Sequence, residues 1–240
     1  MRRKHYIWNR VGALAVFGLS VLTLYFYQLP MLVISLVVRR KFPHSHAARL
    51  AELGRLDPWI ALATLVFALV QIGLLYWLYR HQLKKRNPLH IQRKKFRLES
   101  LFFLFLMYAL VLAANVAVQQ FGTPANQEGV MAEMKILPLT LFLLAGVLAP
   151  FIEELIFRGI FMNVFWQKDN QVNSICAILI SGLVFGLMHE PHLSVFLLLY
   201  SSLGWILAYT YRYHRDLRYS IGLHMMINFP SALVALLQAL

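Results

Sequence analysis

Two adjacent carboxylates and one guanidinium interrupt an otherwise apolar run, Ala149-Pro150-Phe151-Ile152-Glu153-Glu154-Leu155-Ile156-Phe157-Arg158-Gly159. Inside a membrane each such charge costs about 2.5–3.5 kcal/mol on translocon scales, so a segment that keeps three of them needs a reason. Glu154 and Arg158 are four residues apart and share a helix face, the spacing of an ion pair that fixes packing. Glu153 points about 100° away from Glu154 around the helix and must find another partner. Burial and nearby cations pull on such a carboxylate in opposite directions. A balance between the two is what a general base working near neutrality requires. Pro150 cannot donate to the carbonyl of Gly146, which predicts a bend just before the acidic pair. Broken backbone within a membrane is tolerated where it lines a cavity, and a wet pocket would admit water for hydrolysis.

Two further constellations are polar. The run Ser181–His189 ends in Phe185-Gly186-Leu187-Met188-His189, followed by Glu190-Pro191-His192. The four-residue spacing lets the Phe185 ring pack on and orient the His189 imidazole, although a lone histidine at a helix end is more often a hydrogen-bonded structural group. His189-Glu190-Pro191-His192 is not the zinc pattern H-E-x-x-H: its histidines are three apart and Pro191 breaks the helix that would present them. Further along, His224 and Asn228 are four apart in Ser220-Ile221-Gly222-Leu223-His224-Met225-Met226-Ile227-Asn228. Both can donate hydrogen bonds. They suit an oxyanion clamp or, equally, an interhelical hydrogen bond of about 0.6–2 kcal/mol.

Together, Glu-Glu-x-x-x-Arg at 153–158, Phe-x-x-x-His at 185–189 and His-x-x-x-Asn at 224–228 resemble the three motifs of the CPBP family. That family holds the type II CAAX prenyl endopeptidases and their bacterial relatives, also called Abi proteins. The resemblance extends to Phe157-Arg158-Gly159, Gly204-Trp205 and Ser220-Ile221, and spans roughly Leu137–Phe229. It implies an intramembrane, glutamate-dependent endopeptidase whose catalytic set is Glu153, Glu154, Arg158, His189, His224 and Asn228. Glu153 would act as general base, with His189 holding the water and protonating the leaving amine. His224 and Asn228 would stabilise the developing oxyanion, and Glu154 with Arg158 would brace the helix. Family members are often labelled metalloproteases, but a glutamate–water mechanism accounts for these residues with no metal or other cofactor. The implied substrate is a hydrophobic or membrane-associated peptide, in bacterial relatives linked to bacteriocin immunity or the processing of peptide signals. The alternatives are a catalytically inactive scaffold or immunity protein of the same fold, a zinc enzyme and a transporter; no inverted repeat points to the last.

The elements that must position these groups are apolar runs: Val11–Val38 with Pro30 inside it, Pro58–Tyr79, Leu101–Val118, Ile136–Trp166, Gln171–Met188, Leu193–Tyr211 and Tyr219–Leu240. Each approaches the roughly 20 residues needed to cross a bilayer. They predict an all-α polytopic transmembrane bundle of about seven helices. The basic tract Arg80–Arg97 divides residues 1–98, two helices without a membrane-embedded acid, from residues 99–240, the core with every motif. The first run is too long for a signal peptide and reads as a retained helix. With the N-terminus cytoplasmic, 16 Lys and Arg residues fall inside and 6 outside, the positive-inside sense. The compact chain suits a bacterial cell membrane.

Composition agrees. The chain is 60% hydrophobic and 14% charged, far from the roughly 45–50% and 25% of soluble domains. A net charge of +13 would suit nucleic acid, but the basic residues lie in short tracts between apolar runs, so the predicted partners are membrane lipids and the peptide substrate. The single cysteine, Cys176, excludes an intramolecular disulfide and any cysteine-based zinc site. One difficulty stands. Glu153 falls mid-helix, His189 at a helix end and His224 near the start of the last run, so a shared pocket requires that some helices be longer, tilted or broken.

Overall fold

The computed structural model describes residues 2–239, with side chains from residue 11 onward. The side chains of Arg2, Arg3, Lys4 and Arg10, which enter the predicted orientation, lie outside the described residues. Helix α1 (Arg2–Leu22) passes through a 3-10 turn (Thr23–Gln28) into α2 (Leu29–Lys41). Pro30, expected inside one continuous helix, occupies the first turn of α2, so the helix changes form just before it. The side-chain amide of Gln71 donates to the Thr23 carbonyl at 2.5 Å and to its hydroxyl at 3.1 Å, holding the turn in place.

Helix α3 (His46–Lys85) is 40 residues long, about 60 Å at 1.5 Å per residue and far more than a bilayer core requires. Ser45 caps its start, accepting from the Ala48 N–H. The run that sequence begins at Pro58 therefore starts twelve residues earlier, and Asp57, expected outside the membrane helices, is a buried acid within α3. This corrects the picture of two N-terminal helices without an embedded acid. Asp57 accepts from the backbone N–H groups of Leu139 (2.8 Å) and Thr140 (3.0 Å) and from the Thr140 hydroxyl (2.6 Å). These donors belong to the first turn of α6 (Pro138–Leu143), which follows α4 (Leu98–Gln119) and α5 (Ala125–Met134). A carboxylate borrowed from another helix thus caps the start of the span that carries the acidic pair.

That span continues as one unbroken path of changing pitch: a π-helical turn (Leu144–Leu148), α7 (Ala149–Glu154), a second π-helical stretch (Leu155–Met162) and the short α8 (Asn163–Phe165). The Ala149 N–H reaches back five residues to the Leu144 carbonyl. The irregularity predicted at Pro150 is thus a widened turn, the kind of insertion that recurs at functional sites. The chain returns through α9 (Gln171–His189), crosses to α10 (Val195–His214) and ends in α11 (Leu217–Ala239).

Six stretches among the described residues are long and apolar enough to span a bilayer: Val11–Lys41, His46–Lys85, Leu98–Gln119, Pro138–Phe165, Gln171–His189 and Leu217–Ala239. The fold is an all-α polytopic membrane bundle. The seventh predicted run, α10, falls short because Ser201, Ser202, Gly204, Thr210 and Arg212 dilute its apolar content. It packs against α4, α9 and α11, which shield those groups. Its contact with α9 is very close: a Cβ at Gly204 would lie 2.7 Å from the Gly182 backbone, the small-residue approach typical of membrane helix pairs.

The basic tract between α3 and α4 is tied to the turn between α10 and α11. Asp216 accepts from the Lys94 N–H (2.8 Å), Arg218 donates to the Lys94 carbonyl (2.7 Å) and Arg215 donates to the Leu89 carbonyl (3.0 Å). Burial acts to raise the Asp216 carboxyl's proton affinity, but hydrogen bonds from the Arg218 side chain and the Lys94 and Arg218 N–H groups outweigh it. Asp216 is held below the ordinary carboxylate range.

Candidate active site

Glu154 is the hub. It is fully buried, and its Oε1 meets Arg158 Nη1 at 2.8 Å and His224 Nδ1 at 3.0 Å. The ion pair predicted from four-residue spacing is present, extended by an imidazole seventy residues further along the chain. Arg158, also fully buried, spends its other terminal nitrogen on the Gly204 carbonyl at 2.8 Å. Its guanidinium lies over the Phe185 ring, 4.9 Å from the centroid. One side chain therefore joins the acidic helix to α10 and to the aromatic that precedes His189.

Glu153 occupies the position between the two histidines. Its Oε2 is 3.9 Å from His189 Nε2 and 3.9 Å from His224 Nε2. Both distances exceed a direct hydrogen bond and match a contact bridged by one small group. Glu153 and His189 keep partial exposure, at 14% and 22%, whereas His224 is buried at 3%. The opening thus lies on the Glu153–His189 side.

The two imidazoles are oriented differently. His189 Nδ1–H donates to the Phe185 carbonyl at 3.0 Å; a carbonyl only accepts, so in the neutral ring Nε2 is a lone pair facing Glu153. The ring lies between Phe185 and Tyr200, with centroids 4.4 and 5.0 Å away. His224 gives Nδ1 to Glu154 and turns Nε2 toward Glu153. Asn228, one turn on, donates to the Ala145 carbonyl at 3.2 Å, which uses one of its two amide hydrogens and ties α11 to the π turn.

Of the six residues singled out from sequence, Glu153, Glu154, Arg158, His189 and His224 gather around one point, while Asn228 is anchored through Ala145. The mismatch in depth is resolved by unequal elements. The 19-residue α9 ends beside the middle of the 28-residue acidic span. Groups that spacing does not reveal also belong here. Ser220 is fully buried beside Glu154 and Tyr200 stacks on His189. Tyr200 meets the site across a helix boundary and leaves no periodic signal. Cys176, a free thiol in α9, takes no part. Among the described residues no group of three or more His, Cys, Asp or Glu has the geometry to hold a metal ion.

Fold and site define a polytopic membrane protein with a buried cluster of carboxylates, a guanidinium and imidazoles. Residues 135–230 match the family model described as type II CAAX prenyl endopeptidase Rce1-like. Two curated proteins are similar. "Putative membrane peptidase YdiL" of Bacillus subtilis is 27% identical over 129 residues, 52% of this chain and 50% of that protein. "UPF0177 protein YvdC" of Lactococcus lactis is 29% identical over 134 residues, 55% of this chain and 49% of that protein. The chain thus spans about half the length of the curated relatives it matches. No solved structure matches it. The stretch that matches the family model carries all three motifs, Glu153–Arg158, Phe185–His189 and His224–Asn228.

Proposed function

We propose that the protein is an intramembrane, glutamate-dependent endopeptidase that hydrolyses a peptide bond in a hydrophobic or membrane-associated peptide. The observation that carries this reading is the placement of Glu153 Oε2 at 3.9 Å from both His189 Nε2 and His224 Nε2. A water held between Glu153 and His189 has an acceptor for each of its protons. Glu153 takes one as the water attacks the scissile carbonyl, and His189 relays a proton to the departing amine. General base assistance of this kind contributes about 10²–10⁴-fold.

His224 has the complementary role. With Nδ1–H committed to Glu154, its Nε2 donates to a developing oxyanion only as the imidazolium. In that state Glu153 and Glu154 balance Arg158 and His224, two charges of each sign in one buried cluster. Asn228, whose amide has one hydrogen left after Ala145, would serve the same oxyanion if substrate binding brings it within reach. Donors of this type are each worth about 3–4 kcal/mol in transition-state stabilisation. Glu154 and Arg158 hold His224 and the helix in register.

The test is comparative peptidomics of membranes from cells expressing the wild type and Glu153→Gln, followed by cleavage of the candidate peptide by purified protein in lipid vesicles. Peptides that accumulate only with wild type, and a loss of at least about 100-fold in the variant, support the assignment. Identical peptide profiles at equal protein levels would falsify it.

A further inference from the structure

The two imidazoles of the site are not held equally. His224 is pinned from another helix, by Glu154 at 3.0 Å. His189 is not: among the described residues its hydrogen bond runs to Phe185, in its own last turn, and its side chain keeps 22% exposure. It is also the final residue of α9, with Glu190 already extended, where a helix frays most readily. An imidazole in that position needs a holder from a second element if its Nε2 is to stay on Glu153.

Tyr200 of α10 meets that need. Its ring lies 5.0 Å from the His189 ring at an interplanar angle of 26°, and Phe185 lies 4.4 Å away at 32°, with the imidazole between them. The seam between α9 and α10 explains the placement. A Cβ at Gly186 would sit 2.9 Å from the Ser201 backbone nitrogen, and one at Gly204 would sit 2.7 Å from the Gly182 backbone. Small residues thus let the two helices touch along this line. Tyr200 lies one turn from Gly204 and His189 one turn from Gly186, so the same close approach brings their rings face to face. Stacking covers the faces of the imidazole and leaves its edge clear, with Nδ1 on the Phe185 carbonyl and Nε2 toward Glu153.

We propose that Tyr200 is a positioning residue for His189: it closes an aromatic clamp with Phe185 that keeps Nε2 aimed at Glu153. The clamp rests on the ring geometry, and its catalytic consequence rests on the peptidase reading. Tyr200→Leu keeps apolar bulk and removes the ring, whereas Tyr200→Phe keeps the ring and removes only the hydroxyl. Both are compared with wild type in lipid vesicles by two readouts. One is the kinetics of cleavage of the peptide found by peptidomics. The other is the NMR spectrum of the full chain labelled at histidine, with the His189 signal assigned by its absence in His189→Gln.

Tyr200→Leu should lower kcat about 100-fold with KM unchanged, the loss that a displacement on the order of 1 Å at a reacting group produces. Its His189 ring protons should move downfield as the ring current of the stacked tyrosine disappears. Tyr200→Phe should retain both wild-type values. A His189 signal unmoved in Tyr200→Leu overturns the proposal whether or not the protein cleaves peptides. A raised KM with kcat kept makes Tyr200 a substrate contact and overturns it too, as does a Tyr200→Phe variant impaired as deeply as Tyr200→Leu. Where Tyr200→Leu fails to accumulate, a through-space cross peak between the His189 and Tyr200 rings of the wild type decides: its presence supports the clamp and its absence overturns it. A moved signal in a protein whose wild type cleaves nothing supports the clamp and sinks the peptidase reading instead.

Discussion

His224 and Glu154 stand 70 residues apart in the chain and 3.0 Å apart in the fold, imidazole Nδ1 on carboxylate Oε1. The contact divides labour within the acidic pair. Glu154 is committed on two sides, to Arg158 and to His224, and has no solvent exposure, whereas Glu153 makes only the two 3.9 Å approaches and stays partly open. Two neighbours of identical chemistry are thus given different surroundings by which helix face each occupies.

The division predicts opposite outcomes for two isosteric changes. Glu154→Gln leaves the Arg158 guanidinium buried without a counter-charge at bonding distance. Breaking such a pair costs about 3–5 kcal/mol. The variant should accumulate poorly and melt well below wild type in detergent. Glu153→Gln removes no direct bond at Oε2 and should melt with the wild type while losing cleavage. Equal melting of both variants would show that the Glu154–Arg158 pair does not support the fold.

Sequence makes one half of this arrangement visible and hides the other. The Glu154–Arg158 pair and the packing of Phe185 on His189 are local, since each partner lies one helical turn from the other and spacing alone reports them. The apolar runs likewise report the spans, because a bilayer imposes length and composition on each segment separately. Hidden are the relations between helices: the Asp57 cap on α6, Gly204 accepting from Arg158, Tyr200 stacked on His189. None repeats with a helical period. Asp57 escaped because Pro58 reads as a helix start, although Pro58 sits within a helix already capped at Ser45. The π turns escaped because an inserted residue changes pitch without changing composition.

The α9–α10 seam makes a second prediction. A methyl at Gly204 would meet the Gly182 backbone at 2.7 Å, and backbone cannot swing aside as a side-chain end can. Gly204→Ala should therefore destabilise by about 1–3 kcal/mol. It should also lower activity by shifting the carbonyl that receives Arg158 Nη2. Gly222, on the same helix as His224, has nothing within 4 Å of the corresponding position. Gly222→Ala should be neutral or stabilise by about 0.5–1 kcal/mol through helix propensity. Thermal melts of the two single variants check the contrast, and equal losses would contradict it.

The Asp57 cap predicts a stability effect far from the reacting groups. In Asp57→Ala the N–H groups of Leu139 and Thr140 lose their acceptor at the start of the acidic span. A lost cap costs about 1–2 kcal/mol. Asp57→Asn keeps one carbonyl oxygen and should recover part of that loss. Hydrogen exchange at Leu139 and Thr140 reads the effect directly: protection should fall most in the alanine variant, and unchanged protection would contradict the cap.

The clasp at Asp216 predicts an acid-sensitive contribution to stability from outside the spans. Its carboxyl is held below the ordinary carboxylate range near pH 4, by the Arg218 and Lys94 hydrogen bonds acting against burial. For a group depressed in the folded state, the unfolded chain binds the proton more readily as pH falls. Its stabilisation is therefore complete above the unfolded value and drains away as pH drops through the folded one. Wild type should lose melting temperature steadily between about pH 5 and pH 3, and Asp216→Asn should start lower at neutral pH with a flatter slope. The other buried carboxylates, Asp57 and Glu154, are common to both proteins, so the difference between the two curves isolates the clasp. Because Asp216 anchors the Lys94 backbone, the same change should increase proteolytic cutting within 86–97 at neutral pH. Parallel melting curves and an unchanged cutting pattern would mean that the Arg215, Arg218 and Tyr219 contacts hold the tract without Asp216.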